Sequence, residues 1–196
     1  MAIIDFFDRG WRINPKGAAY IQDDRHYRFD EVGELSCRIA NGLLALGLPK
    51  ETKGAVWAVN DVTAWTCTLG LWRANMCWIP VGARNSGEEN HYVLDAFDCE
   101  VLFFQKYFAP VVAELRPRLP KIRLWVCIDD ELPDFPGARS LASWAGEQPA
   151  TRPNVAVDMD DVVFLGATGG TTGTPKGVMN THRSMQTFCA HFMIGC

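Results

Sequence analysis

The stretch Thr168-Gly169-Gly170-Thr171-Thr172-Gly173-Thr174-Pro175-Lys176-Gly177-Val178 concentrates glycines and hydroxyl side chains beside a lysine. Glycine lets the backbone adopt positive φ and approach a ligand closely, so successive N–H groups can converge on an anion. The threonine hydroxyls can bond phosphate oxygens or a magnesium ion, and Lys176 adds a compact positive charge. The stretch therefore predicts a polyphosphate-binding loop.

The residues before this loop, DDVVFL at 160–165, form a short apolar run that is typical of a buried strand. The loop therefore follows a strand end, where open α/β sheets bind ligands. A flexible Gly/Thr linker is the alternative, but a linker needs no ordered Pro-Lys-Gly and does not normally lie between an apolar strand and a helix. The spacing matches neither GxGxxG nor Walker A, because Pro175 precedes Lys176.

The loop resembles the signature of the AMP-forming adenylate synthetases, which include acyl-CoA synthetases, firefly-type luciferases and peptide-synthetase adenylation domains. Their pattern runs Thr-Ser/Thr/Gly-Gly-Thr-Thr-Gly-x-Pro-Lys-Gly-Val. Gly169 stands where many members carry serine, a variant most like the fatty acyl-CoA synthetases. The resemblance extends over nearly the whole chain, through NP at 14–15, FDEV at 29–32, ANGL at 40–43, WIPV at 78–81 and THRS at 181–184.

The resemblance implies ATP, Mg²⁺ and, as co-substrate, coenzyme A as ligands, together with a carboxylic acid. It implies that Thr168 ligates magnesium, and that Lys176 is a catalytic residue which also contacts the β- and γ-phosphates. The residues that would bind the nucleotide are Thr168, Gly169, Gly170, Thr171, Thr172, Gly173, Thr174 and Lys176.

The implied activity is formation of an acyl adenylate from ATP, followed by thioester formation with coenzyme A, with a fatty acid as the expected substrate. An aryl acid–CoA ligase, another adenylating enzyme and a non-catalytic nucleotide-binding module are the alternatives. The chain resembles only the N-terminal portion of a member. It lacks the family's ribose-binding aspartate and the adenylation lysine of the C-terminal domain, so the chain alone is expected to be inactive.

The composition, 48% apolar and 21% charged, is that of an ordinary globular chain. A net charge of −4 with scattered basic residues argues against nucleic acid as a partner. The seven cysteines contain no CxxC pair and lie mostly in apolar stretches, so we expect reduced core cysteines in a cytoplasmic protein. No apolar run reaches the ~18 residues that span a bilayer, so no integral membrane segment is expected.

The rest of the chain alternates predicted strands and helices, which indicates βαβ units around a mostly parallel sheet flanked by helices, an α/β fold. A β-hairpin near residues 18–29 precedes predicted strands at 55–59, 77–81, 101–104 and 122–128. Residues 1–196 are predicted to form an incomplete N-terminal α/β domain of an AMP-binding enzyme. Its parts are βαβ units at 1–128, a connection at 129–157, and strand, phosphate loop and helix at 158–196.

After the loop, apolar residues recur at helical spacing: Met185, Phe188, Cys189, Phe192 and Met193. A stripe this strong must bury against something. We therefore expect the chain to self-associate through this C-terminal helix, or to leave the end disordered.

Some other side chains have two interpretations. His182 either contacts a ligand or caps and packs the helix that it starts, and the second is favoured. The acidic pairs at 129–130 and 160–161 either bind magnesium or are solvated turn ends, and again the second is favoured. Four tryptophans either line an acyl channel or, as favoured, belong to the core: Trp57, Trp65, Trp72 and Trp78.

Overall fold

The computed structural model describes residues 1–129, 135–168 and 176–195, and side chains up to residue 191. The helices in these ranges are α1 (Ile4–Ile13), α2 (Phe29–Ala45), α3 (Val62–Arg73), α4 (Gly87–Ala96), α5 (Ala109–Leu115), α6 (Leu141–Gly146) and α7 (His182–Gly195). The strands are β1 (Ala18–Gln22), β2 (Arg25–Arg28), β3 (Lys53–Trp57), β4 (Cys77–Pro80), β5 (Cys99–Phe104), β6 (Leu124–Cys127), β7 (Ala138–Ser140), β8 (Val162–Thr168) and β9 (Lys176–Thr181).

Seven strands form one sheet in the order β7-β6-β5-β3-β4-β8-β9, and β1 pairs with β2 in a separate antiparallel hairpin. Every pairing in the large sheet is parallel except β8 with β9. The predicted α/β class, a mostly parallel sheet flanked by helices, is confirmed. Parallel strands need crossover connections, and α3, α4 and α5 lie in the crossovers from β3 to β6.

The helix boundaries follow from capping residues that the sequence displays. The Ser86 hydroxyl accepts a hydrogen bond from the Glu89 backbone N–H, while the Glu89 carboxylate accepts one from the Ser86 N–H, which is the predicted capping box. Asp61 caps α3 by accepting from the Ala64 N–H. Gly47, with φ of +66°, follows the end of α2 and adopts the left-handed backbone that favours glycine.

The core lies on both faces of the sheet, because helices cover both. On β5, Val101 and Phe103 point to the face covered by α2, α3 and α6, while Leu102 and Phe104 point to the face covered by α4 and α5. All four side chains are fully buried. Burial on both faces explains why the strand reads as a continuous apolar run rather than an alternating one.

The described cysteines carry free thiols, and five of them are buried: Cys37, Cys67, Cys77, Cys99 and Cys127. Burial raises the pKa of Cys77 and of Cys99 to about 12. The prediction that the cysteines are core residues is confirmed for these five. Cys189 is half-buried, and Cys196 lies outside the described residues.

Three elements differ from the sequence-based expectation. Helix α1 and strand β7 were not predicted, although β7 adds to the sheet by parallel pairing with β6. The strand after the phosphate loop was not predicted either, whereas the helix was expected to start at His182. Residues Lys176–Thr181 form β9, which pairs antiparallel with β8, and the helix begins at His182.

Candidate phosphate-binding site

The predicted loop lies between the two strands of the β8–β9 hairpin. Ala167 is the register partner of Gly177, and Thr168 is the register partner of Lys176, so the strands are paired up to the residues that flank the loop. The hairpin thus brings together Thr168 and Lys176, which are eight positions apart in sequence. The other predicted site residues lie outside the described residues: Gly169, Gly170, Thr171, Thr172, Gly173 and Thr174.

Thr168 and Lys176 are both exposed. The Thr168 hydroxyl donates to the Lys176 carbonyl oxygen over 3.1 Å, which leaves its oxygen lone pairs available as acceptors or ligands. A Cβ at Gly177 would lie 2.9 Å from Leu165 Cδ1 and 3.2 Å from the Phe97 ring, so a larger residue there would displace these two side chains. A hydroxyl and an ammonium group are therefore presented together at one end of a paired hairpin.

This end of the hairpin faces the ligand-binding edge of the sheet. β8 runs parallel to β4, so its carboxyl end lies on the same edge as the carboxyl ends of β3 and β4. Open α/β sheets bind ligands outside this edge. A crevice of about 580 Å³ opens here, lined by the β1 end, the turn from β3 to α3, Trp65, Trp78 and Val81.

The four tryptophans divide between core and crevice. Trp57 is buried in the cluster under α4 and α5, and Trp72 is buried with its indole N–H donating to the Val163 carbonyl oxygen over 2.9 Å. Trp65 and Trp78 line the crevice. Trp65, Trp72 and Trp78 pack edge to face, with ring centroids 5.4 to 5.9 Å apart.

Asp161, directly before β8, is buried, so its expected role as a solvated turn end was wrong. It accepts hydrogen bonds from Lys50 Nζ at 2.5 Å, Asn75 Nδ2 at 2.8 Å and the Asp158 N–H at 2.9 Å. Burial raises the pKa of this carboxyl, but the hydrogen bonds outweigh burial and lower the pKa to about 2. Its neighbour Asp160 is exposed as expected and pairs with Arg183.

His182, directly after β9, is fully buried. Its Nδ1 accepts from the Ile3 backbone N–H at 3.1 Å, so its Nε2 carries the proton and donates to Asn75 Oδ1 at 3.0 Å. Burial lowers the pKa of this imidazole, which keeps it neutral. The packing role favoured for His182 is the one observed.

Sequence reasoning missed the residues that contact the start of β8 and the end of β9. Lys50, Glu51 and Asn75 lie in loops far from the hairpin in sequence, and no motif marks them. The one local signal in the sequence is an asparagine just after α3. Asn75 adopts φ of +56°, a conformation that asparagine tolerates.

No cluster of three or more His, Cys, Asp or Glu side chains suited to a metal ion occurs among the described residues. Thr168 is the predicted magnesium ligand, and a single exposed hydroxyl is compatible with Mg²⁺ for the following reason. Mg²⁺ usually keeps several waters and is bound through few protein groups together with substrate phosphates. Within the described part of the chain, no helix is long and apolar enough to cross a bilayer.

A sequence rich in glycine and threonine, between strands that end at the carboxyl edge of an α/β sheet and followed by a lysine, is typical of proteins that bind nucleotide phosphates. The particular family follows from comparison with known proteins. Residues 7–195 match the AMP-binding enzyme family, and the chain belongs to that family.

Curated relatives include the medium-chain acyl-CoA ligase Mig of Mycobacterium avium, 32% identical over 84% of this chain and 32% of the relative. The 4-hydroxybenzoate–CoA/benzoate–CoA ligase of Rhodopseudomonas palustris is 29% identical over 93% of this chain and 34% of the relative. The long-chain-fatty-acid–CoA ligase FadD13 of Mycobacterium tuberculosis is 28% identical over 88% and 33%. The chain therefore spans about a third of the length of these relatives.

Solved structures show the same fold. The anthranilate CoA ligase AuaEII in complex with anthranoyl-AMP superposes with a TM-score of 0.87 at 22% identity, over 93% of this chain and 35% of that one. The inhibitor-bound N-terminal domain of FACL13 from Mycobacterium tuberculosis gives a TM-score of 0.77 at 26% identity, over 95% and 46%.

Proposed function

We propose that this chain is the N-terminal, phosphate-binding portion of an AMP-forming ligase that joins a carboxylic acid to coenzyme A. The observation that carries the proposal is the pairing of Thr168 with Lys176, which flank the signature loop within a chain of the AMP-binding family. The CoA ligases among its relatives support the reaction class.

In the proposed reaction a carboxylate oxygen attacks the α-phosphorus of ATP, and the bond to pyrophosphate breaks. The thiol of coenzyme A then loses its proton and attacks the acyl carbon, and AMP leaves. Carboxylate and triphosphate are both anions, so the first step needs neutralisation of charge on the leaving pyrophosphate and correct positioning. Lys176 supplies positive charge at the β- and γ-phosphates, and the loop threonines and backbone N–H groups supply donors.

Thr168 is the proposed ligand of magnesium. Its hydroxyl proton is directed to the Lys176 carbonyl oxygen, so a lone pair of the Thr168 oxygen would be available to hold Mg²⁺. When bound, Mg²⁺ supplies Lewis-acid neutralisation of the triphosphate. Thr168 itself orients that ion relative to the loop.

A fatty acid is the proposed substrate class. The glycine at position 169 and the fatty acyl and medium-chain acyl ligases among the relatives favour it. An aryl acid is the second candidate, because a benzoate ligase, at 29% identity, and an anthranilate ligase, with a TM-score of 0.87, are also among the similar proteins.

The proposal is tested by acid-dependent exchange of labelled pyrophosphate into ATP, using the longest protein that carries this sequence. Exchange stimulated by fatty acids of graded chain length, but not by benzoate or anthranilate, is expected. Stimulation by the aryl acids alone would replace the fatty acid with the second candidate. ATP binding without exchange under any acid would favour a nucleotide-binding module.

The 196-residue chain alone is proposed to be inactive, since it lacks the ribose-binding aspartate and the adenylation lysine that the family motifs imply. Purified chain should give no acid-dependent exchange. A cytoplasmic location is also proposed, and the buried free thiols support it.

Self-association through α7 is proposed as well. Met185 and Cys189 pack against the core, whereas Phe188, between them, is 61% exposed. Phe192 and Met193 lie beyond the described side chains. Light scattering on the purified chain should give a mass above that of a monomer, and Phe188→Ser should lower it. A monomeric wild type would contradict the proposal.

A further inference from the structure

The hairpin that carries the loop is joined to the rest of the sheet by little backbone pairing. Between β4 and β8 the register has a single pair, Trp78 with Phe164, whereas β3 and β4 share four pairs. A bulge between Val162 and Phe164 interrupts the pairing of β8 with β9 near its start. Side chains must therefore contribute much of the attachment.

Those side chains gather at the base of the hairpin, where β8 begins and β9 ends. The Glu51 carboxylate accepts from the Val162 N–H at 2.6 Å, and the His182 N–H donates to the Asp161 carbonyl oxygen at 3.2 Å. Among the described residues, only Asn75 makes side-chain hydrogen bonds both to the residue before β8 and to the residue after β9. It donates to the Asp161 carboxylate and accepts from the His182 ring.

Asn75 is itself well fixed. It is fully buried, and its backbone N–H donates to the Trp72 carbonyl oxygen while its own carbonyl oxygen accepts from the Glu51 N–H. The side-chain amide cannot rotate without losing both partners, because its donor and acceptor ends face an acceptor and a donor respectively. Asn75 thus fixes the position of the base of the hairpin relative to the end of α3.

A small change at the base becomes a larger one at the loop. Thr168 lies seven positions after Asp161, which is about 23 Å of extended strand, so a tilt of about 3° at the base moves Thr168 by about 1 Å. A misplacement of about 1 Å at a site that works by positioning can cost about 100-fold in rate.

We propose that Asn75 is a positioning residue for the phosphate-binding hairpin, which sets the place of Thr168 and Lys176 by clamping Asp161 to His182. The proposal rests on the proposed function, in which those two residues contact ATP phosphates. Asn75 touches no substrate and acts through the strands.

The test is Asn75→Asp in the 196-residue chain. Aspartate has the same shape and tolerates the same positive φ, so neither a cavity nor backbone strain is introduced. Its carboxylate replaces the amide donor facing Asp161, so two carboxylates oppose each other. Asn154→Asp is the matched control, because it adds the same charge at an exposed position.

Two quantities are measured: the backbone amide NMR shifts of Thr168 and Lys176, and the affinity for Mg²⁺-tripolyphosphate by calorimetry. Asn75→Asp should shift both amides and weaken the affinity about 10-fold, within the range expected for a displaced site. Asn154→Asp should change neither. Lys50→Gln removes an exposed partner of Asp161 without disturbing the core, so it should give the same pattern, reduced in size, even where Asn75→Asp fails to fold.

A variant that is folded but less stable, with unmoved Thr168 and Lys176 amides and unchanged affinity, would show that Asn75 is merely structural and overturn the proposal. Absence of Mg²⁺-tripolyphosphate binding by the wild type would contradict the proposed function instead. In that case the amide shifts still support or overturn the positioning role.

Discussion

The hydroxyl of Thr168 donates to the carbonyl oxygen of Lys176 across the paired end of the β8–β9 hairpin, 3.1 Å away. This bond fixes the direction of the hydroxyl proton and leaves the oxygen lone pairs on the opposite side. The residue proposed to ligate magnesium and the residue proposed to neutralise phosphate charge are thus coupled before any ligand arrives.

Two substitutions of Thr168 distinguish the effect of its hydroxyl group from the effect of its branched shape. Thr168→Val removes the oxygen but keeps the branched side chain, and should lower the apparent affinity for Mg²⁺-tripolyphosphate about 10-fold, as expected for one charge-assisted contact. Thr168→Ser keeps the hydroxyl and should bind within about twofold of wild type. Calorimetry at fixed Mg²⁺ compares the three proteins. Equal affinities for valine and serine variants would show that the hydroxyl is not used.

Lys176→Ala, placed in the longest protein that carries this sequence, should slow acid-dependent ATP–pyrophosphate exchange by about 10- to 1,000-fold, since one electrostatic contact to the leaving group is lost. Lys121→Ala is the control, because Lys121 pairs with Asp95 and Asp98 on the surface and lies just before β6, at the amino edge of the parallel strands. An unchanged rate for Lys176→Ala would show that this lysine is structural.

The fold was largely predictable because its periodic signals are local. Apolar runs such as residues 101–104 and the Ser86 capping box need no knowledge of the rest of the chain to be recognised. Strand β7, by contrast, is three residues long and exists because β6 offers an edge to pair with. Short segments of this kind are decided by tertiary contacts rather than by propensity.

The site was predictable only where chemistry is written in consecutive residues. The loop was proposed from its glycines and threonines, but β9 was not predicted. Its KGVMNT sequence has weak strand propensity and becomes a strand by pairing with β8. The roles of Asp161 and Asn75 depend on partners more than 80 positions apart, which no local pattern could reveal.

The buried ion pair between Asp8 and Arg73 should dominate the charge contributions to stability. Both side chains are 2% exposed, and Arg73 reaches both carboxylate oxygens, at 2.7 and 3.2 Å. Asp8→Asn leaves the buried guanidinium without its counter-charge and should lower the free energy of unfolding by about 3–5 kcal/mol. Urea denaturation followed by circular dichroism measures this.

Glu88 provides the matched control for Asp8. It also pairs with both guanidinium nitrogens of an arginine, Arg118, but on the surface, where water already solvates both charges. Glu88→Gln should leave the urea midpoint unchanged within error. Equal losses for the two variants would show that burial does not set the strength of these pairs.

The buried thiols should be protected from alkylation in the folded chain. The thiolate is the reactive form, and burial both raises the pKa of Cys77 and Cys99 to about 12 and blocks access of the reagent. Iodoacetamide at pH 8 should modify these two residues only after denaturation, whereas half-buried Cys189 should react sooner. Peptide mass spectrometry follows each site. Rapid labelling of Cys77 or Cys99 in native buffer would contradict the described core.

His182 should make the free energy of unfolding decrease as the pH falls below the ordinary pKa of histidine. Its pKa is lowered in the folded chain by burial, so the unfolded chain, with a pKa near 6.5, binds the proton more readily. The stabilisation is complete above about pH 6.5 and is lost as the pH falls from there towards the folded pKa, with a slope of at most about 1.4 kcal/mol per pH unit for one proton. Asp161 titrates below this window, since its pKa of about 2 lies under its ordinary 3.8.

His182→Gln removes the titrating ring and keeps an amide N–H for Asn75, so its free energy of unfolding should be lower than that of wild type at pH 7.5 and nearly independent of pH between 6.5 and 5. Urea titrations at half-unit pH steps give the two curves. Parallel curves for wild type and His182→Gln would mean that protonation of this ring is not coupled to folding, because a group that binds protons equally in both states contributes no slope.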